Sequence, residues 1–392
     1  MLNREEVRQS FRYKLYNHRR NRHLGRRIDL AASAWNHAVD LHRRYYKLFK
    51  KGLPKAKLQS HLAKLRRTRR PEWLELNSQT LQEISDRLYK GWEAFFEKRA
   101  KRPPGFKARR RYRSITFKQI GYKLLASGRL QIGEHTYRFW LSRPILGTVK
   151  TVTVKRTALG EYFVSFSCSD VPAPKLMPKT GQTAGMDFGL KAFFTLNSGE
   201  VIDAPEPLRQ EIGKARLLSR GLSKKARGSK ARKKARLALA RMHERIANKR
   251  ADWHHKAALA LVRRFDAIAI EDLCFSGMTK RWGRKMADLG AADFIGILSS
   301  HAVKSGRTLT KNDRFMRSTG VCPCWGSYRK LDLKEREFEC CRQLWQRDRA
   351  AAQIHLEAGR RLWTGATVSP QIPVASCEIP APAGNTAESH AL

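Results

Sequence analysis

The chain has 392 residues, and its 80 Lys and Arg against 34 Asp and Glu leave a formal net charge of +46. That length suits two or three domains, the 41% apolar content is ordinary for a globular protein, and the charge repels itself unless a polyanion neutralises it. Nucleic acid is the favoured polyanion, because phosphate contacts release counterions without sequence preference; a spanning helix is excluded, since no apolar run approaches the roughly 20 residues one needs.

The opening stretch MLNREEVRQSFRYKLYNHRR is charged from the start and has no apolar signal core, so an intracellular protein is expected. Seven cysteines in such a chain point to metal ligands or buried thiols rather than to a disulfide framework. Residues 1–20 are basic with Phe11, Tyr13 and Tyr16 interspersed, and read as one strand. From Arg26 to Phe49 apolar residues recur at helical spacing, through Ile28, Ala31, Trp35, Ala38, Leu41, Tyr45 and Leu48. A second stripe runs Leu81, Ile84, Leu88, Trp92, Phe95, and Gly52 and Pro54 mark a turn between the two. The outer face of this helical region carries Arg19, Arg20, Arg22, Arg26, Arg27, Arg43, Arg44 and a run from Arg66 to Arg70, which fits contact with phosphate. Trp35, Trp92 and Phe95 lie on the apolar stripes and read as core, while Tyr13, Tyr16, Tyr45 and Tyr46 are candidates to stack on bases.

KRPPGF at 101–106 ends the helices. Short alternating runs bounded by glycine follow, plainest at Tyr162, Val164, Phe166 and Cys168, and predict a small β-barrel or sandwich over 106–170. Residues 1–20 add a strand to it, which makes the helical region an insertion. VPAPKLMPKTG at 171–181 is a Pro-rich linker. An α/β pattern comes next: AGMDFG, AFFTL, a strand near Val201, a helix from Trp253 to Arg264, the apolar strand AIAIE at 267–271, a helix near 291–304, a strand near 307–311 and a last helix from Arg347 to Trp363. Between Arg209 and Arg250 stand 16 Lys and Arg and two acids, a second basic wall of helical propensity. His254 and His255 lack a paired ligand spacing and read as structural groups or phosphate contacts. Residues 364–392 are rich in Pro, Ala and Ser without periodicity and read as disordered.

Three acids stand out against this basic background. Asp187 closes a short apolar strand before Gly189, Glu271 ends AIAIE, and Asp348 opens the last helix, where the dipole also favours a carboxylate. Strand end, strand end and helix start can aim three carboxylates at one point, and carboxylates converging on paired Mg²⁺ or Mn²⁺ ions are what phosphodiester hydrolysis uses. The same positions suit ordinary capping and surface acids, so position leaves both readings open. Cys322, Cys324, Cys340 and Cys341 lie within 20 residues as C-P-C and C-C. Zinc favours such thiols, yet both pairs are tighter than a regular zinc knuckle, and a ribbon that holds no metal is the alternative. Cys168 and Cys274 read as buried small hydrophobes, and Cys377 lies in the tail.

GMDFGLKAFFTL at 185–196, IAIEDLCFSGM at 268–278 and QRDRAAAQIH at 346–355 resemble, in order and separation, the three nuclease segments of the TnpB (OrfB-type) insertion-sequence proteins, relatives of the type V CRISPR effectors. HHKAALALVRRFDAIAIEDL at 254–273, RSTGVC at 317–322 and FKARRRYRSITF at 106–117 are also similar to that family, so the likeness covers most of 1–363. It implies a multidomain α+β fold. A β-barrel wedge domain would span 1–20 and 104–175, with a helical nucleic-acid-binding domain inserted at 21–103. An RNase-H-like (RuvC) nuclease domain would span 180–316 and 345–363, with the basic helical insertion near 205–250 and a zinc-ribbon-like segment at 317–344. It further implies a guide RNA, a double-stranded DNA target, cleavage at Asp187, Glu271 and Asp348 with Mg²⁺ or Mn²⁺, zinc at the cysteines, and a place in the prokaryotic cytoplasm at the nucleoid. The sequence departs from the family pattern at Gln346 and Ala350, where the family carries Asp and Asn, and at Trp325, where it places its second cysteine. A guided DNA-binding protein with little or no cutting, such as a repressor or a transposition accessory, is the alternative those departures favour.

Overall fold

A computed structural model describes residues 8–118, 121–324, 326–332 and 335–364; the expectations for the first seven residues, Trp325 and the tail with Cys377 lie outside the described residues. The chain divides into two compact units, Met1–Ala173 and Pro174–Leu392. No described helix is long and apolar enough to cross a membrane.

Unit 1 opens with strand β1 (Gln9–Lys14), followed by helices α1 (Asn21–Phe49), α2 (Lys55–Thr68) and α3 (Ser78–Phe96), with a 3₁₀ turn at Pro71–Glu75. α1 buries Leu24, Ile28, Ala31, Trp35 and Ala38, which fall on one stripe of a 3.6-residue period. α2 went unread in the sequence because it buries only Leu58 and Leu62 among basic residues, too thin a stripe to stand out. Asn77 caps α3 by accepting a hydrogen bond from the Gln79 amide. Strands β2 (Ser114–Lys118), β3 (Lys123–Leu125), β4 (Arg129–Ile132), β5 (His135–Arg138), β6 (Thr148–Arg156) and β7 (Tyr162–Ser169) follow.

The strands form two antiparallel sheets, β1-β7-β6-β2 and β3-β4-β5. β1 pairs directly with β7, Phe11 opposite Phe166 and Tyr13 opposite Val164, and the helices are inserted between β1 and β2, the two edge strands of that sheet. The alternation predicts a barrel or sandwich; among the described residues the two sheets are joined by the bridge between Leu15 and Phe139, and the strands of the smaller sheet are three or four residues long.

Unit 2 contains β8 (Thr183–Phe188), β9 (Phe194–Leu196), β10 (Val201–Ile202), α4 (Pro207–Gln210), α5 (Ile212–Ser223), α6 (Lys230–Arg264), β11 (Ala267–Glu271), α7 (Phe275–Leu289), α8 (Ala291–Ser305), β12 (Thr308–Asn312), β13 (Glu337–Cys340), β14 (Gln343–Gln346) and α9 (Arg347–Trp363). One five-stranded sheet runs β10-β9-β8-β11-β12. β8, β11 and β12 are parallel, and β9 and β10 turn back antiparallel at one edge. β11 has neighbours on both sides, which is why AIAIE is apolar without alternation. The expected helix from Trp253 to Arg264 is the end of α6, which at 35 residues is about 50 Å long. α7, also unread in the sequence, follows Cys274, which is exposed rather than buried because it sits in the loop leaving β11.

α9 lies against β8, β11 and β12 at very short range. A Cβ on Gly185 of β8 would stand 1.9 Å from the Ala352 carbonyl oxygen, and one on Gly359 of α9 would stand 2.5 Å from the Ala269 Cβ. Only glycine permits that approach, and it brings the start of α9 over the ends of β8 and β11. A second device ties the linker to the sheet. Asp266 accepts hydrogen bonds from the Thr180 and Gly181 amides and pairs with Arg307, whose side chain is 1% exposed and also donates to the carbonyls of Val262 and Pro178.

Candidate active site

Asp187 lies next to the last residue of β8 and Glu271 ends β11, and these strands are hydrogen-bonded neighbours in parallel. Parallel strands present both C-terminal ends at one edge, so the two carboxylates meet there although 84 positions separate them in sequence. α9 supplies Asp348 in its first turn and, seven residues on, His355. Donor atoms of Asp187, Glu271 and His355 all lie within 4.8 Å of one another. Asp348 stands outside that group: its oxygens are 3.4 Å from Arg347 Nε and 3.9 Å from Arg336 Nη1. It is near enough, however, for its charge to act on Asp187.

The electrostatics have a clear centre. Burial first, then the charges of Asp348 and Glu271, push the Asp187 carboxyl up to about 8, with Arg347 opposing. Glu271 is raised in the same direction by burial and by Asp272. The His355 ring is fully buried, and burial lowers it to about 4, so it is neutral at ordinary pH. Without a cation, then, Asp187 holds a proton at neutral pH; a divalent cation would supply the positive charge that favours the ionised forms of Asp187 and Glu271. The donor set is chiefly hard oxygen, which fits Mg²⁺ or Mn²⁺.

The sequence reading named Asp187, Glu271 and Asp348 and missed His355. A signal was available: positions 348 and 355 are two turns apart on one helix face, so any site touching Asp348 could also meet His355. Gln346 caps α9, accepting from the Arg349 amide at 3.0 Å, and Ala350 is buried with Phe338 and Trp345. At both departures from the family pattern the residue serves the helix and its packing.

The cysteines form a second cluster in unit 2. β13 and β14 make a hairpin whose turn holds Cys341 and Arg342 at positive φ. Cys322 Sγ is 3.4 Å from Cys341 Sγ, and Cys340 Sγ is 3.7 Å from Cys341 Sγ. The sulfurs of Cys322, Cys340 and Cys341 lie within 4.8 Å of one another. Cys324 is exposed and stays outside that group, although its thiol interacts with those of Cys322 and Cys341. Burial and the neighbouring thiols raise Cys341 strongly, so the cluster resists ionising by itself. The Gly326 amide donates to the Cys322 carbonyl, and the Cys322 amide donates to the Ser327 carbonyl; this tight turn brings Cys322 to the hairpin despite the compressed spacing.

Elsewhere the aromatic assignments divide. Tyr13 is buried in the unit 1 core, against the expectation of a base-stacking role, because its strand position faces inward. Tyr45 packs against that core, while Tyr46 is exposed. Tyr16 stacks on exposed Trp140 at 4.6 Å with Arg138 over its ring. Trp35 is buried and Trp92 partly buried, as their stripes require. His254 is buried with Nε2 2.9 Å from the Leu289 carbonyl, and His255 meets His301 at 3.1 Å.

The chain is similar to known proteins along most of its length. Residues 165–281 match the OrfB_IS605 family, described as "Probable transposase". A protein of Streptomyces pristinaespiralis named "Putative RNA-guided DNA endonuclease" is 30% identical over 366 residues, spanning 91% of this chain and 90% of that one. The Escherichia coli K12 protein "Putative RNA-guided DNA endonuclease InsQ" is 31% identical over 235 residues, 59% of this chain and 57% of its own. Among solved structures, the Cas12f1 chain of a Cas12f1-sgRNA-target DNA complex shares the fold with a TM-score of 0.52 at 13% identity, covering 86% of this chain and 82% of that one. On the strength of the 30% identity that runs nearly end to end, this chain belongs to the TnpB (OrfB) family.

Proposed function

We propose that this protein is an RNA-guided DNA endonuclease that cuts at Asp187, Glu271 and Asp348. One observation carries the reading: strand pairing gathers Asp187 and Glu271, far apart in sequence, within 4.8 Å at a buried point, where burial and the nearby charges of Asp348 and Glu271 push the Asp187 carboxyl up to about 8. Two divalent cations bound there would activate a water and stabilise the leaving oxygen. Asp187 and Glu271 would hold them from the sheet edge, and Asp348, which stands beside Arg336 and Arg347, would be the third ligand. The guide RNA and the double-stranded DNA supply the polyanion that a charge of +46 requires, and the names of the relatives point to the same two partners.

The domains follow on this reading. Residues 1–20 and 104–175 are the wedge domain and 21–103 the helical domain set into it; 180–316 with 345–363 is the RuvC-like nuclease domain, and 317–344 is the zinc-ribbon-like segment. The unbroken β1–β7 pairing and the mixed sheet that ends in α9 support this division. Purified ribonucleoprotein carrying Asp187→Ala is expected to keep its RNA and lose Mg²⁺-dependent cleavage of guide-matched DNA. Unchanged cleavage would sink the assignment.

A specific observation favours a second reading, guided binding with little cutting: both Asp348 oxygens face arginines, and Gln346 and Ala350 give it no polar support. The wild-type ribonucleoprotein decides this in the same assay, by retaining matched DNA without cutting it. For the cysteines, the three gathered sulfurs with Cys324 beside them suit a structural zinc ion. About one zinc per chain is expected by elemental analysis, and Cys322→Ser should lose it; a zinc-free wild type would refute the site.

A further inference from the structure

His355 Nε2 is buried, has no hydrogen-bond partner among the described residues, and lies 3.8 Å from Asp187 Oδ1. On the other side of the ring stands Asn312, itself buried at the end of β12. Its Nδ2 is 2.9 Å from the His355 carbonyl oxygen and 3.3 Å from His355 Nδ1. A carbonyl can only accept, so the Asn312 atom facing it is the amide nitrogen and not the oxygen. That nitrogen has a second hydrogen, and it faces Nδ1. Nδ1 therefore accepts, and the single proton of the neutral ring sits on Nε2. The tautomer is fixed by a backbone group on one side, and the N–H that results is aimed at Asp187 on the other.

We infer that Asn312 and His355 form a donor relay that positions Asp187 for its cation. Nε2–H would take one Asp187 oxygen as its acceptor when the carboxylate is charged, closing from 3.8 Å to about 2.9 Å, and leave the other oxygen for the metal. This rests on the metal-site reading given above. It also accounts for how the site holds its aim where Gln346 and Ala350 contribute no support: the polar partner comes two turns beyond Asp348 in α9 and faces Asp187 instead. His355 is thus a positioning residue, and the proton on Nε2 keeps that nitrogen from being a ligand.

The test uses full-length protein with its copurified RNA and measures Mn²⁺ affinity from the free-ion electron paramagnetic resonance signal. His355→Leu keeps the bulk and removes the donor; ligating groups that lose such a partner bind metal about 10–100-fold more weakly. Its Mn²⁺ affinity should fall by about that factor, whereas His355→Gln, whose amide can donate at the Nε2 position, should stay within about threefold of wild type. Equal binding by His355→Leu and wild type overturns the relay, as does a His355→Gln as weak as His355→Leu. Pulsed measurement on wild type gives an independent answer even where a variant fails to fold: a strong coupling of Mn²⁺ to a directly bonded nitrogen overturns it, and the absence of that coupling is the expected result. Asp187→Ala is the control. Undiminished Mn²⁺ binding there overturns the metal site itself, whereas loss there beside normal binding in His355→Leu overturns the relay alone.

Discussion

Removing the charge of Asp187 should stabilise the metal-free protein, and the gain should grow with pH. In the unfolded chain the carboxyl ionises near 3.8, and in the folded chain it is pushed up to about 8. Between those values the folded form holds a proton that the unfolded form has released, so stability falls as pH rises from about 4 to about 8, and the whole loss is present above that. At about 1.4 kcal/mol per pH unit, the interval corresponds to on the order of 5 kcal/mol. Water entry and rotation of the side chain would relax part of this, leaving ~2–3 kcal/mol, or roughly 5–10 °C in Tm for a unit of this size. Asp187→Asn keeps the shape and abolishes the titration. Thermal melts in chelator at pH 6 and pH 9 should therefore show the variant ahead of wild type, with the wider gap at pH 9. Adding Mn²⁺ should then raise the wild type and not the variant, since binding to the folded form alone adds stability. A variant no more stable than wild type at pH 9, or one raised equally by Mn²⁺, would refute the reasoning that burial and the neighbouring acids oppose the ionisation of Asp187.

Gly185→Ala should cost more than ~3 kcal/mol, because its Cβ would meet the backbone of α9 at 1.9 Å and the helix would have to lift off the sheet; urea titration of the full chain checks this, and a loss under ~1 kcal/mol would contradict the packing. Asp266→Ala should destabilise the fold by leaving the buried Arg307 guanidinium without its carboxylate partner, read as a lower urea midpoint. Asp266→Ala with Arg307→Met should recover much of that loss, and an unrecovered double variant would show that the Thr180 and Gly181 amides carry the effect instead.

Much of this protein was legible in its sequence, for identifiable reasons. The charge of +46 pointed to a polyanion before any element was placed. AIAIE announced an interior parallel strand because such strands are apolar on both faces, and the 3.6-residue stripes announced α1 and α3. α2 escaped because its apolar face is thin, and α7 because its helical run is interrupted at Trp282, where the backbone leaves the helical region.

The three acids were identifiable by type, order and resemblance, since each depends on local context: the end of an apolar strand or the first turn of a helix. Their relation was not. Whether carboxylates 84 and 77 positions apart share a site depends on strand pairing and on how closely α9 lies to the sheet, and that is set by Gly185 and Gly359, whose meaning is invisible until the facing atoms are known. The same holds for His355, which a local reading passes over as one more helical residue. Its tautomer follows from Asn312 on another strand, and its direction from the depth at which α9 is buried. Sequence determined which chemical groups this protein carries and the elements that bear them. Tertiary structure alone decided their distances and their loss of water, and with these how far the Asp187 carboxyl is raised.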